Sequence, residues 1–352
     1  YKKMRVNYKY YKNYTFIEGD DSKIINALNF QSRKKSIVRF FNSIIGSYSY
    51  NKILIKQIGG NERNYSYIHC HDISTLSVGV KIKQKFNVRL IYDAHELYEE
   101  AAGVTPIIAK LYRNIHKKSQ IHIDGFITIN QYLTKIYKAK YPKLPTPVIV
   151  MNATKKIKIE KYDGRLHEAC GVKKKRKIIL FQGGFSRDRG IQKMLAIAEH
   201  LNNEFCLVFM GWGALEEKIM QYKNMYPEMI YCIPPAPQDE LMKWTAGAYI
   251  GLIPYENANL NHKYCTPNKL WEFPSAGVPI MASSLVMLKE VIQSNNIGWV
   301  FDLKLNPRNF VKFLMESIPE YNSKAKACSK FSAKENWEKY EKNILKLYKS
   351  LK

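Results

Sequence analysis

The chain has 352 residues, of which 46% are hydrophobic and 24% are charged. These proportions exclude a disordered or collagen-like chain, and the length is sufficient for two domains with separate cores. Lysine and arginine outnumber aspartate and glutamate by 56 to 30, which gives a net charge of +26. Such an excess predicts affinity for negatively charged partners. The candidates are a nucleic acid, an anionic membrane surface and a phosphorylated ligand.

The distribution of apolar residues and cysteines narrows the class of protein further. No apolar run approaches the ~18 residues of a transmembrane helix, and the start of the chain lacks the pattern of a signal peptide, so we expect a cytoplasmic protein. The six cysteines are scattered singly, with no CxxC pair and no histidine at a zinc spacing. We therefore expect free thiols in a reducing cytoplasm.

Basic and apolar residues alternate near the amino end, where the first 65 residues carry 13 basic and 4 acidic side chains. Near-helical spacing there favours a basic amphipathic helix that lies on an anionic membrane, on the inner face of the cell membrane. The alternative is that the apolar stripe faces the protein core. A second candidate of the same kind runs from Pro106 to Ser119. The residues predicted to contact the membrane in the first segment are Arg33, Lys34, Lys35, Arg39, Phe40 and Phe41.

Short β-rich runs alternate with longer helical patterns along the chain, which predicts an α/β fold with parallel sheets. We divide it into residues 1–152, residues 153–330 and a terminal segment, 331–352, whose helix is expected to pack across the seam between the two domains. The predicted strands are Lys52–Ile58, Tyr67–Cys70, Val88–Tyr92, Phe126–Ile129, Val148–Met151, Lys177–Phe181, Cys206–Met210, Met229–Ile233, Tyr249–Ile253, Pro279–Ala282 and Trp299–Phe301.

The sequence GGFSRDRG, residues 183–190, follows an apolar strand and precedes a helical pattern. Glycines in this position allow close backbone approach, a helix start offers free N–H groups, and arginines bind phosphate oxygens. The segment therefore predicts a diphosphate site, with an ordinary turn as the alternative. A second glycine turn is predicted at Gly211 to Gly213, on the same edge of the cleft.

The sequence PNKLWEFPSAG, residues 267–277, has the features of another ligand-binding helix start. Pro267 would open a turn whose first N–H groups face a phosphate, with Lys269 nearby as a point charge. Glu272, one turn later, could accept hydrogen bonds from two ribose hydroxyls. A single helical glutamate is by itself more typical of a solvated surface.

Several motifs in order resemble the family 4 glycosyltransferases over roughly residues 65 to 350. GGFSRDRGI, FMGWGALEEKI, PPAPQDELMKW, GLIPYE and PNKLWEFPSAGVPIMAS resemble the nucleotide-sugar domain of that family. YIHCHD, LIYDAHELYEE, FITINQYL and VIVMNA resemble its acceptor-side domain. DAHE and PNKLWEFPSAG are the most specific of these in combination.

The resemblance implies a GT-B fold, with two Rossmann-like domains facing each other across a cleft. It also implies retaining transfer from a nucleoside-diphosphate sugar, with UDP expected, without a metal or another cofactor. It implies that Glu272 holds the donor ribose and that Arg189, with the loop at Gly184, neutralises the diphosphate. It implies that His95 binds a donor hydroxyl and stabilises positive charge at the anomeric carbon. Further implied contacts are to the donor through Gly183, Arg187, Pro235, Ala236, Asn268, Lys269 and Leu270, and to His95 through Asp93 and Glu96.

The chain departs from the family pattern at Gly184, where the family has the phosphate-loop arginine, and at the first of two glutamates. The family has two glutamates eight positions apart, and the position of the first is Tyr264 here. Nearby Glu256 is a possible substitute for that glutamate. We expect a glycosyltransferase that extends a lipid-linked or cell-surface glycan, and the alternative is a non-catalytic GT-B partner subunit. Nucleic-acid binding is not expected, because the basic residues are spread over both halves without a recognised module.

Overall fold

The computed structural model describes residues 66–101, 103–157 and 161–352. The predicted membrane segment from Arg33 to Phe41 and the predicted strand Lys52–Ile58 lie outside the described residues. Within them, strands and helices alternate and form two sheets in which every pair of neighbouring strands is parallel. The α/β prediction is confirmed.

The first sheet lies in the amino-terminal half, and its strands follow chain order, β1-β2-β3-β4. Its carboxyl edge carries the YIHCHD and DAHE motifs, because β1 ends at His71 and β2 ends at Ala94. The bounds are β1 Tyr67–His71, β2 Arg89–Ala94, β3 Gly125–Thr128 and β4 Val148–Ile149, with helices α1 Asp72–Phe86, α2 Pro106–Ser119 and α3 Gln131–Lys140.

The second sheet has the strand order β10-β9-β8-β5-β6-β7. The chain enters at its centre, builds outward to β7, and then crosses back to continue from β8, so the switch point lies between β5 and β8. In such sheets ligands bind at the carboxyl ends of the strands beside this point. The strands are β5 Lys177–Gly184, β6 Phe205–Trp212, β7 Ile230–Ile233, β8 Ile250–Ile253, β9 Ile280–Ser283 and β10 Gly298–Phe301. The helices are α4 Arg165–Cys170, α5 Ile191–Leu195, α6 Glu216–Met225, α7 Leu241–Thr245, α8 Leu260–Lys263, α9 Lys269–Ser275, α10 Val286–Asn295, α11 Pro307–Ser317 and α12 Tyr321–Lys334.

The neighbouring strands β5 and β6 both run further than their apolar residues predict. Gly183 pairs with Gly211 across β5 and β6, and a Cβ at Gly211 would lie 2.0 Å from the Gly183 carbonyl oxygen. The glycines therefore extend the ladder through close backbone approach. The predicted turn at Gly211 to Gly213 is wrong in this respect, since Gly211 and Trp212 belong to β6.

The last helix, α13 Trp337–Ser350, packs against the first sheet although it follows the second in sequence. Tyr340 and Leu347 are buried in a cluster with Ile91 and Ile127 of that sheet. Leu345 on the same helix is 40% exposed. The helix thus joins the two halves of the described chain, while the domain limits at residues 152 and 330 stay predictions.

Candidate active site

A cleft of about 560 Å³ lies between the two sheets, within the ~300–1,000 Å³ range of small-molecule sites. Its lining includes Gly183 at the end of β5, Arg189 after β5 and Tyr255 after β8, and β5 and β8 are the two strands at the switch point. The first half contributes His95 and Glu96, which follow β2, and Ile129, which follows β3. Both halves of the described chain therefore face one ligand-sized space.

Two cations converge at one end of this cleft around Tyr255. The guanidinium carbon of Arg189 lies 4.1 Å from the centre of the Tyr255 ring. The Lys269 ammonium donates a hydrogen bond of 3.0 Å to the Tyr255 hydroxyl. It also covers Gly183, where a Cβ would lie 2.8 Å from the Lys269 Nζ atom. Tyr255 thus positions two positive charges beside exposed strand-end backbone, an arrangement suited to a diphosphate.

Glu272 lies in the first turn of α9 and is held by a chain of buried hydrogen bonds. Gln182 Nε2 donates to Glu272 Oε2 at 2.7 Å, and Thr245 Oγ1 donates to Gln182 Oε1 at 2.8 Å. Burial raises the pKa of the Glu272 carboxyl, while Lys269 and the Gln182 amide act in the opposite direction. The second carboxylate oxygen has no such protein donor in the described part of the chain, so this group is oriented to accept hydrogen bonds from a ligand.

The first half of the chain faces these groups with His95 and Glu96. The backbone N–H of His95 donates to the Tyr98 hydroxyl at 3.1 Å, and His95 Nε2 lies 3.6 Å from Asp93 Oδ2. The His95 side chain remains 43% exposed, so it can contact a ligand in the cleft. Burial is the main cause that raises the pKa of the Glu96 carboxyl, and the negative charge of nearby Asp72 raises it further.

Two asparagines join the halves at the mouth of the cleft. Asn261 accepts from the Leu97 N–H at 2.7 Å and donates to the Leu97 carbonyl at 2.9 Å. Asn130 donates to the Tyr264 carbonyl at 2.9 Å. These bonds fix the separation between the DAHE motif and the helix that precedes PNKLWEF.

Tyr264, which occupies the family position of a glutamate, lines the cleft. Its ring stacks on Tyr132 with centroids 4.9 Å apart and planes 13° apart. Glu256, the possible substitute, does not line this cleft, and its backbone N–H donates instead to the Asp188 carbonyl at 3.0 Å. The cleft therefore presents an aromatic surface at this position.

The structure brings most of the residues named from the sequence to this cleft, although their roles stay predictions. Residues that line it are His95, Glu96, Gly183, Arg189, Pro235, Ala236, Asn268, Lys269 and Glu272. Four others do not: Gly184 and Arg187 are exposed beside it, Leu270 is buried in the core, and Asp93 lies beneath His95.

Sequence reasoning missed three residues that organise the site, which are Gln182, Tyr255 and Asn261. Gln182 offered a signal, because it is a polar residue inside the apolar strand KIILFQGG. Tyr255 offered another, since it follows the last buried residues of a strand at the switch point. Asn261 offered none, because its partner Leu97 is 164 positions away.

Two parallel Rossmann-like sheets around a cleft at the switch point of the second sheet define the GT-B fold, and the chain has this fold. No protein-family model and no curated protein matches the chain. Solved structures of GT-B glycosyltransferases do match it. Sucrose-phosphate synthase from Thermosynechococcus elongatus is similar with a TM-score of 0.67 at 16% identity, over 92% of this chain and 81% of that one.

Two further matches were solved with nucleotide ligands. Anabaena HepE in complex with UDP has a TM-score of 0.63 at 12% identity, over 88% of this chain and 82% of that one. The E. coli trehalose-6-phosphate protein bound with UDP-2-fluoro glucose has a TM-score of 0.65 at 11% identity, over 87% of this chain and 78% of that one. At these identities the likeness establishes the fold.

Proposed function

We propose that the protein is a glycosyltransferase that uses a nucleoside-diphosphate sugar, with UDP as the nucleotide. The observation that carries this proposal is the convergence of Arg189, Lys269 and Glu272 in one cleft opposite His95. The first two would bind the diphosphate, and Glu272 would accept hydrogen bonds from the ribose. UDP and a UDP-sugar analogue are bound by two of the similar structures, which supports this choice of nucleotide.

The proposed mechanism assigns the chemistry to charge stabilisation by the protein. As the glycosidic bond breaks, negative charge grows on the leaving diphosphate, where Arg189 and Lys269 stabilise it without a metal ion. His95 contacts the donor sugar as positive charge grows at the anomeric carbon. In the retaining route that we propose, the leaving phosphate accepts the acceptor's proton during attack on the same face. The proposed acceptor is a lipid-linked or cell-surface glycan.

A test of the donor site uses Glu272→Gln, which keeps the shape of the side chain and removes its charge. We expect about tenfold weaker UDP binding near pH 7.5, because hydrogen bonds to a carboxylate are stronger than those to an amide. Burial raises the pKa of Glu272, so the wild-type protein loses its carboxylate charge at a higher pH than an exposed glutamate would. The difference between the two proteins should therefore shrink on acidification.

Calorimetric titration with UDP at several pH values measures this difference. Protonation of the UDP phosphate weakens binding to both proteins equally, so the ratio of their affinities isolates Glu272. With 2′-deoxy-UDP as the matched ligand, the ratio of the two affinities should fall towards one, because Glu272 would lose one of its two ribose hydroxyl partners. A ratio near one with UDP at neutral pH, with the melting temperature unchanged, would remove Glu272 from the donor site.

We also propose that the protein works at the inner face of the cell membrane, through its basic amphipathic segments. Arg33 to Phe41 is not described, but α2 has the required character: Ile107 and Leu111 are 69% and 38% exposed, and Lys110, Lys117 and Lys118 are exposed around them. No helix of the described ranges is both long and apolar enough to cross a bilayer. Contact through a lipid-facing surface is therefore the form of association that we propose.

Replacing Lys110, Lys117 and Lys118 together by alanine should reduce binding to vesicles of phosphatidylserine and phosphatidylcholine by about 100-fold, since each basic residue contributes ~1 kcal/mol. Sedimentation with the vesicles measures this. The matched control replaces Lys326, Lys330 and Lys334, which are exposed on α12. Equal losses in both triple variants would mean that net charge, rather than α2, determines binding.

Tyr264 in place of a glutamate favours a second candidate, a non-catalytic GT-B partner subunit that binds a protein or glycan. Hydrolysis of UDP-sugars in the absence of acceptor separates the two candidates. A slow release of UDP that requires Arg189 supports the enzyme. If UDP binds tightly, but no UDP-sugar releases UDP and no sugar is transferred to lipid-linked acceptors, the result supports the non-catalytic subunit.

A further inference from the structure

Three side chains with ligating atoms meet beneath His95 at the carboxyl edge of the first sheet. His69 and His71 are two positions apart on β1 and therefore lie on the same face of the sheet. The register of the sheet pairs His71 with Asp93 of β2. His69 Nε2 lies 3.6 Å from Asp93 Oδ2, and His71 Nδ1 lies 3.4 Å from the same oxygen. One atom of each side chain lies within 4.8 Å of the corresponding atom of the other two.

These separations match the spacing of ligands around a small divalent ion. Zinc bonds of ~2.0–2.2 Å in tetrahedral geometry place neighbouring ligand atoms about 3.3–3.6 Å apart. The two contacts with Asp93 already have this length. The two imidazole rings stack with centroids 4.4 Å apart and planes 10° apart, so one ring must turn about its side-chain bonds before both nitrogens face one ion. Two imidazoles and one carboxylate form a donor set that Zn²⁺ accepts readily.

His69 has the features expected of a metal ligand with a fixed orientation. Its Nδ1 atom is hydrogen-bonded to the Tyr348 hydroxyl of α13 at 2.8 Å, while its Nε2 atom is buried without a hydrogen-bond partner among the described residues. A buried imidazole nitrogen without a partner is costly, and a metal bond would satisfy it. A hydrogen bond at the distal nitrogen is the usual support of a metal-binding histidine.

We propose that His69, His71 and Asp93 bind one divalent transition-metal ion, Zn²⁺, that ties β1, β2 and α13 together beneath the cleft. The fourth position would be taken by water, which leaves the His95 side chain free to face the cleft. The ion would stabilise the edge from which His95 projects. This goes beyond the proposed glycosyl transfer and replaces, for this cluster, the expectation of no metal.

The test measures metal binding by the full chain after treatment with EDTA and desalting. Titration with ZnCl₂ in competition with a chromophoric chelator should show one tight site, and CoCl₂ should give the intense visible absorption of tetrahedral Co²⁺. His71→Ala, which removes a side chain that is 62% exposed, should weaken binding at least about 100-fold. His200→Ala removes an exposed histidine elsewhere and should leave the site intact.

The melting temperature shows whether His71→Ala loses Zn²⁺ binding because it lacks a ligand or because it fails to fold. Zn²⁺ should raise the melting temperature of the wild-type and His200→Ala proteins by on the order of 5 °C and leave that of His71→Ala unchanged. The proposal is overturned if the wild type binds less than one equivalent, or if His71→Ala and Asp93→Asn bind Zn²⁺ as tightly as it does. UDP titration of the same samples reports on the donor site separately, so either proposal can fail alone.

Discussion

Replacing Arg189 by alanine should abolish most of the turnover of a UDP-sugar, with a loss of about 10³-fold in kcat/KM. The guanidinium is held over the Tyr255 ring at 4.1 Å and is half-buried, so its direction is set before any ligand arrives. A pre-oriented cation stabilises the charge that grows on the leaving phosphate more than the charge already present in the bound donor. UDP affinity should therefore fall less, by about 10- to 100-fold. Donor hydrolysis and UDP calorimetry measure the two losses.

Arg187 offers a matched control for this prediction, because it has the same side chain in the same short turn, two positions earlier. It is exposed and does not line the cleft. Arg187→Ala should thus retain turnover to within about threefold, and Arg189→Lys should recover only part of it, because an ammonium lacks the fork of a guanidinium. Equal losses for Arg187→Ala and Arg189→Ala would show that the overall positive charge of the loop, rather than the position of Arg189, matters.

The layout of the fold could be predicted from the sequence because buried parallel strands have a simple pattern. The residues of β6 from Phe205 to Gly211 are buried, and such a continuous apolar run between polar loops is typical of a strand covered on both faces. The DAHE motif begins at the end of such a run, β2, whereas PNKLWEF follows a short helix of the second half. Because the two motifs belong to different sheets, their neighbourhood across one cleft was implied by the resemblance to family 4 glycosyltransferases and not by the strand pattern.

The contacts that orient the site could not be predicted, because they depend on register and on long-range packing. The bond from Gln182 to Glu272 joins residues 90 positions apart, and the bond from Thr245 to Gln182 spans 63. The approach of His71 to Asp93 requires that β1 pair with β2 in one particular register, whereas a shift of one residue would move His71 to the other side of the sheet. Local sequence contains neither the pairing nor the register.

Gly190 is the residue at which a small change should damage both folding and the donor site. Its φ of +67° lies in the left-handed region, and a Cβ would lie 1.8 Å from the Pro254 carbonyl oxygen. Gly190→Ala therefore adds a backbone cost of ~1–2 kcal/mol and a collision that only a shift of the loop after β5 or β8 can relieve. We expect the free energy of unfolding to fall by about 4 kcal/mol in total, which corresponds to a melting temperature lower by roughly 10 °C.

The collision can be separated from the backbone cost by comparison with Gly171, which has a φ of +66° and no atom within 4 Å of an added Cβ. Gly171→Ala should lower the melting temperature by only about 3 °C and leave UDP affinity unchanged. Gly190→Ala should also weaken UDP binding, because any shift of its loop moves the adjacent Arg189 away from Tyr255. If the two variants melt at the same temperature, the loop is not packed against Pro254, and Arg189 must owe its position to the Tyr255 ring alone.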